Sequence, residues 1–431
     1  KNQGKTIVSN KYYNNHKDLL FKISSYLFLS IPILLVTGPF LSDLALSLVS
    51  IFFLFKVIKL KKYEYFNNKF FIFFLIFYIY LIINSIFQNQ NIDSLRISIT
   101  YLRFGLFSLA VVYLLNHDAN ILKKLFYVFL IIFTILVFDG FYQFYNGKNI
   151  LGFILHTGPR VSSFFNEELI LGSYLSRLFP IFFGLMVYFY NEIKKTTYYY
   201  SLCLFIFSEI LIYLSGERAA FFYMNLSSLF ILLFIRKFRK VRLIIMSLSL
   251  ICIVVISYSF PSTKNRVIDQ TVRQMNLKSD SIDKILIFSE QHDDIIRTAF
   301  KIAKDNVFFG VGVKNFRHFC SYDEYEISIY SCNNHPHNTY VQLLSELGLL
   351  GLFFGIFSLY ILSKFTIIHF FRLFKKNYYF DDFQVCLIAA ILITLWPFVP
   401  SGNFFNNWLS IIYYFPVGIL LWSLNKNKKI A

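Results

Sequence analysis

The sequence predicts an all-α, polytopic membrane protein of about twelve transmembrane helices, with one long outer loop between the ninth and tenth. Three observations predict it. The 431 residues are 56% hydrophobic and 20% aromatic but only 15% charged, whereas a soluble chain carries roughly a quarter charged residues. The 55 Phe and 30 Tyr exceed what a soluble core of this length hides, and mean hydropathy is +0.56. Finally, the apolar residues fall into runs of about 17 to 21 residues, long enough to cross a hydrocarbon layer as single helices.

In chain order the spans are 24–40, 42–58, 70–87, 99–115, 125–142, 170–190, 198–215, 219–235, 243–260, 343–363, 383–399 and 407–424. The Lys-rich start lacks a cleavable-signal pattern, so the first span reads as a true helix. Only Gly38-Pro39-Phe40-Leu41 separates it from the second, predicting a tight helical hairpin. Spans seven and eight meet as abruptly at Ser215-Gly216-Glu217-Arg218. The chain therefore divides into helices one to nine over 1–260, a loop domain over 261–342, and helices ten to twelve over 343–431. Residues 290–305 read as an amphipathic helix within that loop.

The charges orient this array. The net charge is +18, and an even number of spans puts both termini on one side. Segments on that side hold 26 Lys and Arg against six acids, while the long loop holds ten of each. Short loops rich in Lys and Arg face the cytoplasm. Both termini are thus expected inside and the long loop outside. The basic surplus records topology and implies no nucleic-acid partner; membrane lipids are expected partners.

Candidate chemistry clusters on the outer side. Arg160 lies in an irregular segment between spans five and six, and Arg218 stands where span eight begins. A planar, permanently charged guanidinium suits a diphosphate, although Arg218 also has the simpler reading of an interfacial side chain paired with Glu217 or a lipid phosphate. Arg103, inside span four, is a stronger intramembrane anomaly than Arg177. His337, between Pro336 and Asn338 just before span ten, is placed to act as a general base near neutral pH. His335 and His337 could pair on a metal, but His-x-His alone is a weak signal, and no metal or other cofactor is expected. Glu346 enters the membrane facing the protein interior, and Gly348 and Gly351 permit close helix contact. Gly310-Val311-Gly312 reads as a plain turn. Cys320 and Cys332 lie in the outer loop, where an oxidising compartment permits a disulfide.

In this order and on this topology, these pieces resemble the O-antigen ligase and polymerase superfamily of bacterial membrane glycosyltransferases. His337-Asn338, nine residues, then Gly348-x-x-Gly351 is similar to the His-[Asn/Ser/Gln]-x9-Gly-x-x-Gly signature of O-antigen ligases. Leu352 and Phe353 replace the two Thr that often follow it. Gly216-Glu217-Arg218-Ala219 resembles the family's Ser-Arg-small element. Arg297 through Gly312 is similar to its Arg…Pro-Leu-x-Gly-x-Gly stretch, with Val307-Phe308-Phe309 in place of Pro-Leu. Arg160-Val161-Ser162-Ser163-Phe164 through Gly172 is also family-like.

The resemblance implies a C-type, metal-independent, inverting glycosyltransferase at the periplasmic face of the bacterial inner membrane. The donor would be a glycan on undecaprenyl diphosphate, and the acceptor a sugar hydroxyl of lipid A–core. It implies His337 as base, with Arg218, Arg160, Arg103 and Arg297 holding the diphosphate and Asn338, Glu346 and His335 in support. An O-antigen polymerase or a protein O-oligosaccharyltransferase shares these needs. A transporter is the rival from another class, but no paired halves are visible and the polar anomalies gather on one face.

Overall fold

A computed structural model describes residues 19–88, 92–275 and 289–428. The basic N-terminal stretch 1–18, loop residues 276–288 and the last three residues lie outside the described residues. Thirteen of the described helices lie at the twelve expected span positions, two of them sharing the fourth. They are α1 (Leu19–Leu34), α2 (Pro39–Lys59), α3 (Lys69–Gln88), the pair α4 (Ile92–Thr100) and α5 (Leu102–His117), and α6 (Asn120–Asn146). Then come α7 (Leu171–Tyr188), α8 (Lys195–Leu214), α9 (Arg218–Phe234) and α10 (Arg239–Ser259). After the loop helix α11 (Glu290–Asp305) follow α12 (Thr339–Phe374), α13 (Asp382–Thr394) and α14 (Asn407–Lys428).

Nine of the described spans, with α4 and α5 taken as one, are long and apolar enough to cross a membrane. The helices α1, α9 and α13 are apolar but only 16, 17 and 13 residues long. Two expectations shift. The fourth span begins in α4 and bends at Tyr101, so Arg103 stands beside the bend and not mid-helix. The tenth begins at Thr339, because Asn338 caps it: its Oδ1 accepts from the Tyr340 and Val341 amides at 3.0 and 3.2 Å.

The helix α7 is the axis of the bundle. It is buried along almost its whole length, packing against α6, α8, α9 and α13, and its largely apolar sequence carries Arg177 within it. A second layer packs α5 against α14 and α2. The prolines Pro32, Pro180 and Pro416 sit inside helices, where neighbouring helices can satisfy the freed carbonyls. Segments 147–170, 215–217, 260–275, 289–338 and 395–406 all meet at one end of the bundle. At the opposite end Lys123 pairs with Glu192 and Arg236 with Asp382. The loop carries a small core of its own, in which Ile295, Ala299 and Ile302 of α11 meet Val311, Phe316 and Tyr325.

Candidate functional site

The site is built from four segments that share that end of the bundle. The first is 147–170. Asp139 on α6 receives the Ser163 hydroxyl at 2.5 Å and the Ile150 amide at 3.0 Å. Gln143, one turn later, receives the Ser162 and Ser163 amides at 2.9 and 2.7 Å. These buried acceptors fix the irregular backbone, and the Val161 amide reaches the Leu214 carbonyl, bringing Arg160 beside the end of α8.

The second segment is the turn from α8 to α9. Gly216 has φ +66, and a Cβ there would stand 2.9 Å from Arg160 Cγ and 3.3 Å from Arg266 Cγ. Only glycine combines this backbone with two arginines crossing it so closely. Glu217 turns inward, away from Arg218. Its carboxylate accepts from the Gly172 and Ser173 amides at 2.6 and 3.0 Å and from the Ser173 hydroxyl at 2.6 Å, capping α7. Burial raises this carboxyl to about 7 despite those bonds. The simple Glu217–Arg218 pair is therefore not formed. Arg218 instead donates to Gln274 Oε1 at 2.6 Å and lies over the short helix Gln270–Gln274. Arg160, Arg218 and Arg266 repel one another, and burial and Arg266 lower the Arg160 guanidinium from its ordinary value.

The third segment carries the histidines. His337 sits in the left-handed region at φ +55, and its ring lies 4.2 Å from that of His335 and 5.1 Å from that of His292. Ser289, the cap of α11, contacts His292 Nδ1 at 2.6 Å. Burial, then His335 and His292, push the His337 imidazole down to about 3; burial also brings His335 to about 4. His292 is lowered by burial and by the charge of Arg218, which ties this group to the arginines.

The fourth segment, 395–406, cradles the third. The Ser401 amide donates to the His337 carbonyl at 2.8 Å, and His335 Nε2 contacts the Ser401 carbonyl at 3.1 Å. Asn338 Nδ2 donates to the Pro397 carbonyl at 2.8 Å. Below them, Gln342 bridges Glu346 and Asn403, each at 3.0 Å, so Glu346 does face the interior.

The two glycine motifs lock into each other. Gly348 interrupts α12 at φ +67 and ψ −163, and a Cβ there would fall 2.2 Å from the Phe308 carbonyl oxygen. The Leu349 amide donates to the Val307 carbonyl, and the Val311 and Gly312 amides to those of Ser345 and Glu346, at 2.8 to 3.0 Å. Asn84 and Gln88 of α3 hold the Phe309 and Gly310 carbonyls. Gly310-Val311-Gly312 is thus a docking strap and not merely a turn. Gly351 faces Leu343 and Leu347 of its own helix, not a neighbouring one. Cys320 and Cys332 are bonded, beside Arg317 and Asn334.

The structure thus gathers Arg160, Arg218, His335 and His337, and leaves two expected arginines apart. Arg297 is exposed on α11 and engaged by Asp293 at 2.7 Å. Arg103 is held by both oxygens of Asp43, at 2.8 and 3.2 Å, and by Asn407 at 3.1 Å. Its depth was overestimated relative to Arg177, which is 4% exposed in α7 and stacks on Tyr223 at 4.7 Å. Sequence reasoning missed Arg266 and His292, which sit in a polar loop among other charged residues, and the segment 395–406. Among the described residues no group of three His, Cys, Asp or Glu is arranged to hold a metal.

The family model described as O-antigen ligase matches residues 202–356, which runs from α8 through the arginine turn, the loop and the break in α12. No curated protein matches the chain.

Proposed function

We propose, from the premise that this is a membrane protein of the O-antigen ligase superfamily, that it transfers a glycan from undecaprenyl diphosphate to a sugar hydroxyl of lipid A–core. Ligase- or polymerase-type transfer of a lipid-linked glycan is what the family match supports; the finer choice rests on the site. The observation that carries it is the junction of Arg160, Arg218 and Arg266 with the imidazoles of His292, His335 and His337 at one end of the bundle. The same end is read as periplasmic from the loop charges, with both termini in the cytoplasm of a bacterial inner membrane.

The chemistry follows from that pairing. Glycosyl transfer breaks the bond between the anomeric carbon and the diphosphate oxygen, so negative charge grows on the leaving group. Fixed guanidinium groups in a partly desolvated site stabilise it without having to reorganise. Their protein partners are two amide oxygens, a hydroxyl and a backbone carbonyl, which an anion readily displaces. The acceptor hydroxyl attacks from the opposite face and loses its proton to His337, which is neutral at pH 7 and so has a free lone pair. A diphosphate bound nearby favours the protonated form of the imidazoles and so raises the basicity that burial lowers, when the base is needed. Single displacement inverts the anomeric configuration.

The test is expression in ligase-deficient bacteria followed by lipopolysaccharide gels. Wild type is expected to restore glycan-capped core, and His337→Asn to leave bare core with polymer retained on the lipid carrier. Capped core at wild-type level from His337→Asn would refute the base. Rescue of chain length in a polymerase-deficient strain, with no capping activity, would move the assignment to a polymerase.

A further inference from the structure

Away from the three-arginine junction, a cavity of about 730 Å³ opens between α2, α4–α5 and segment 313–318. That volume lies within the range of small-molecule and headgroup sites. Its two ends differ in chemistry. One wall is apolar, made by Ile51, Leu54 and Leu106 of membrane helices, and Ile51 is 56% exposed on the outside of the bundle. The cavity therefore reaches the lipid-facing surface. The other end carries Arg96, Lys314 and Arg317. Its carboxylates are Asp43, which is already occupied by Arg103 and Asn407, and Asp93.

Two features of the basic end point to an anion. Lys314 holds φ +57, an uncommon backbone for a residue with a side chain, and its ammonium is drawn below its ordinary value by burial and by Arg317. Arg317 Nε is buried without a hydrogen-bond partner. Arg317 also donates to the Asn334 carbonyl at 3.4 Å and its charge acts on His335, while Arg218 acts on His292. The imidazole group thus lies between two separate basic sites. One diphosphate occupies only one of them.

We propose that this cavity binds a lipid through a phosphate-bearing headgroup, and, resting on the ligase reading above, that the lipid is the phosphorylated glycolipid acceptor. The apolar wall takes the acyl chains at the membrane edge, and Lys314 and Arg317 take the phosphate. The acceptor sugar is then presented to His337 from the side opposite the donor's diphosphate. Arg103 serves here as a positioning residue, holding Asp43 away from the anion.

The experiment uses the full chain in nanodiscs, with bis-phosphorylated lipid A and the same lipid stripped of its phosphates as probes. Wild type is expected to bind the phosphorylated form at least tenfold more tightly. Lys314→Gln with Arg317→Gln should bring the two within twofold, and Arg317→Lys should recover part of the difference. An unchanged thermal transition establishes folding, and Lys314→Gln alone substitutes if the double variant is unstable. Equal binding by wild type, or preference retained in the variants, overturns the cavity assignment. Weaker binding of undecaprenyl diphosphate instead of lipid A assigns the cavity to the donor and overturns it too. Discrimination between the probes without any glycan transfer would sink the ligase reading and leave the anionic-lipid site standing.

Discussion

His337 combines a left-handed backbone with a neutral, half-buried ring, and the two can be separated by substitution. Asn tolerates the left-handed region better than branched residues do, so His337→Asn removes the imidazole while keeping the local turn. A loss of about 10²- to 10⁴-fold in transfer rate is expected in a purified assay, the range for a removed general base. The imidazole share of the pH dependence has a definite sign. In the unfolded chain the three imidazoles titrate near 6.5, but in the fold His292, His335 and His337 are all lowered, the last to about 3. At these sites the unfolded state binds more protons below pH 6.5, so their contribution to stability is complete above that value and falls as the pH drops towards 3. Glu217, raised to about 7, works in the opposite direction, gaining stability as the pH falls through that value, so the imidazole share is read as a difference between proteins. In thermal unfolding at pH 7.5 and 5.0, the stability of wild type relative to His337→Asn should be lower at pH 5.0. A difference between the two proteins that is the same at both pH values would contradict the buried neutral ring. Arg266→Ala is expected to cost transfer as heavily as Arg218→Ala if both hold the leaving group.

At the scale of elements, the break in α12 and the strap at 306–312 stand or fall together. Gly348→Ala puts a methyl against the Phe308 carbonyl in a region of backbone space that is essentially glycine's, costing on the order of 1–3 kcal/mol in strain before any clash. A lowered thermal transition and faster proteolysis of 306–338 should report it. The disulfide closes a loop with a sequence separation of 12, which stabilises by about 3 kcal/mol in the loop-entropy estimate. Cys332→Ser should accordingly loosen the loop while leaving the membrane helices intact. Local pattern made most of these elements legible: apolar runs mark a helix at each expected position, nine of which among the described residues are long and apolar enough to cross a membrane, and amphipathic spacing finds α11 over 290–305. The kink at Tyr101 and the break at Gly348 were not legible as such, because neither interrupts hydropathy. His337 was readable from its motif, and so was Arg218. The cradle at Ser401 was not, since it acts across 64 residues through backbone groups that composition does not mark.

Across the whole molecule, the segments bearing the candidate site meet at one end and the basic short loops at the other, which is why net charge alone is a poor guide to this chain. The orientation yields a direct check. An impermeant thiol reagent on intact cells should label Tyr145→Cys, exposed at the end of α6, and should reach Tyr63→Cys only after permeabilisation. The reverse pattern would place the site in the cytoplasm and end the periplasmic reading.

The seam between the strap and the broken helix is made of amides and carbonyls: Val307, Val311, Gly312, Ser345, Glu346 and Leu349 meet there through main-chain atoms. Such a seam is indifferent to the identity of the side chains it joins, provided that the glycines remain. Residues 307–309 can therefore vary without moving the histidines downstream. A library randomised at those three positions should retain far more functional members than one randomised at Gly310 and Gly348. The architecture at this end of the bundle is in this sense specified by a few positions that lack side chains altogether.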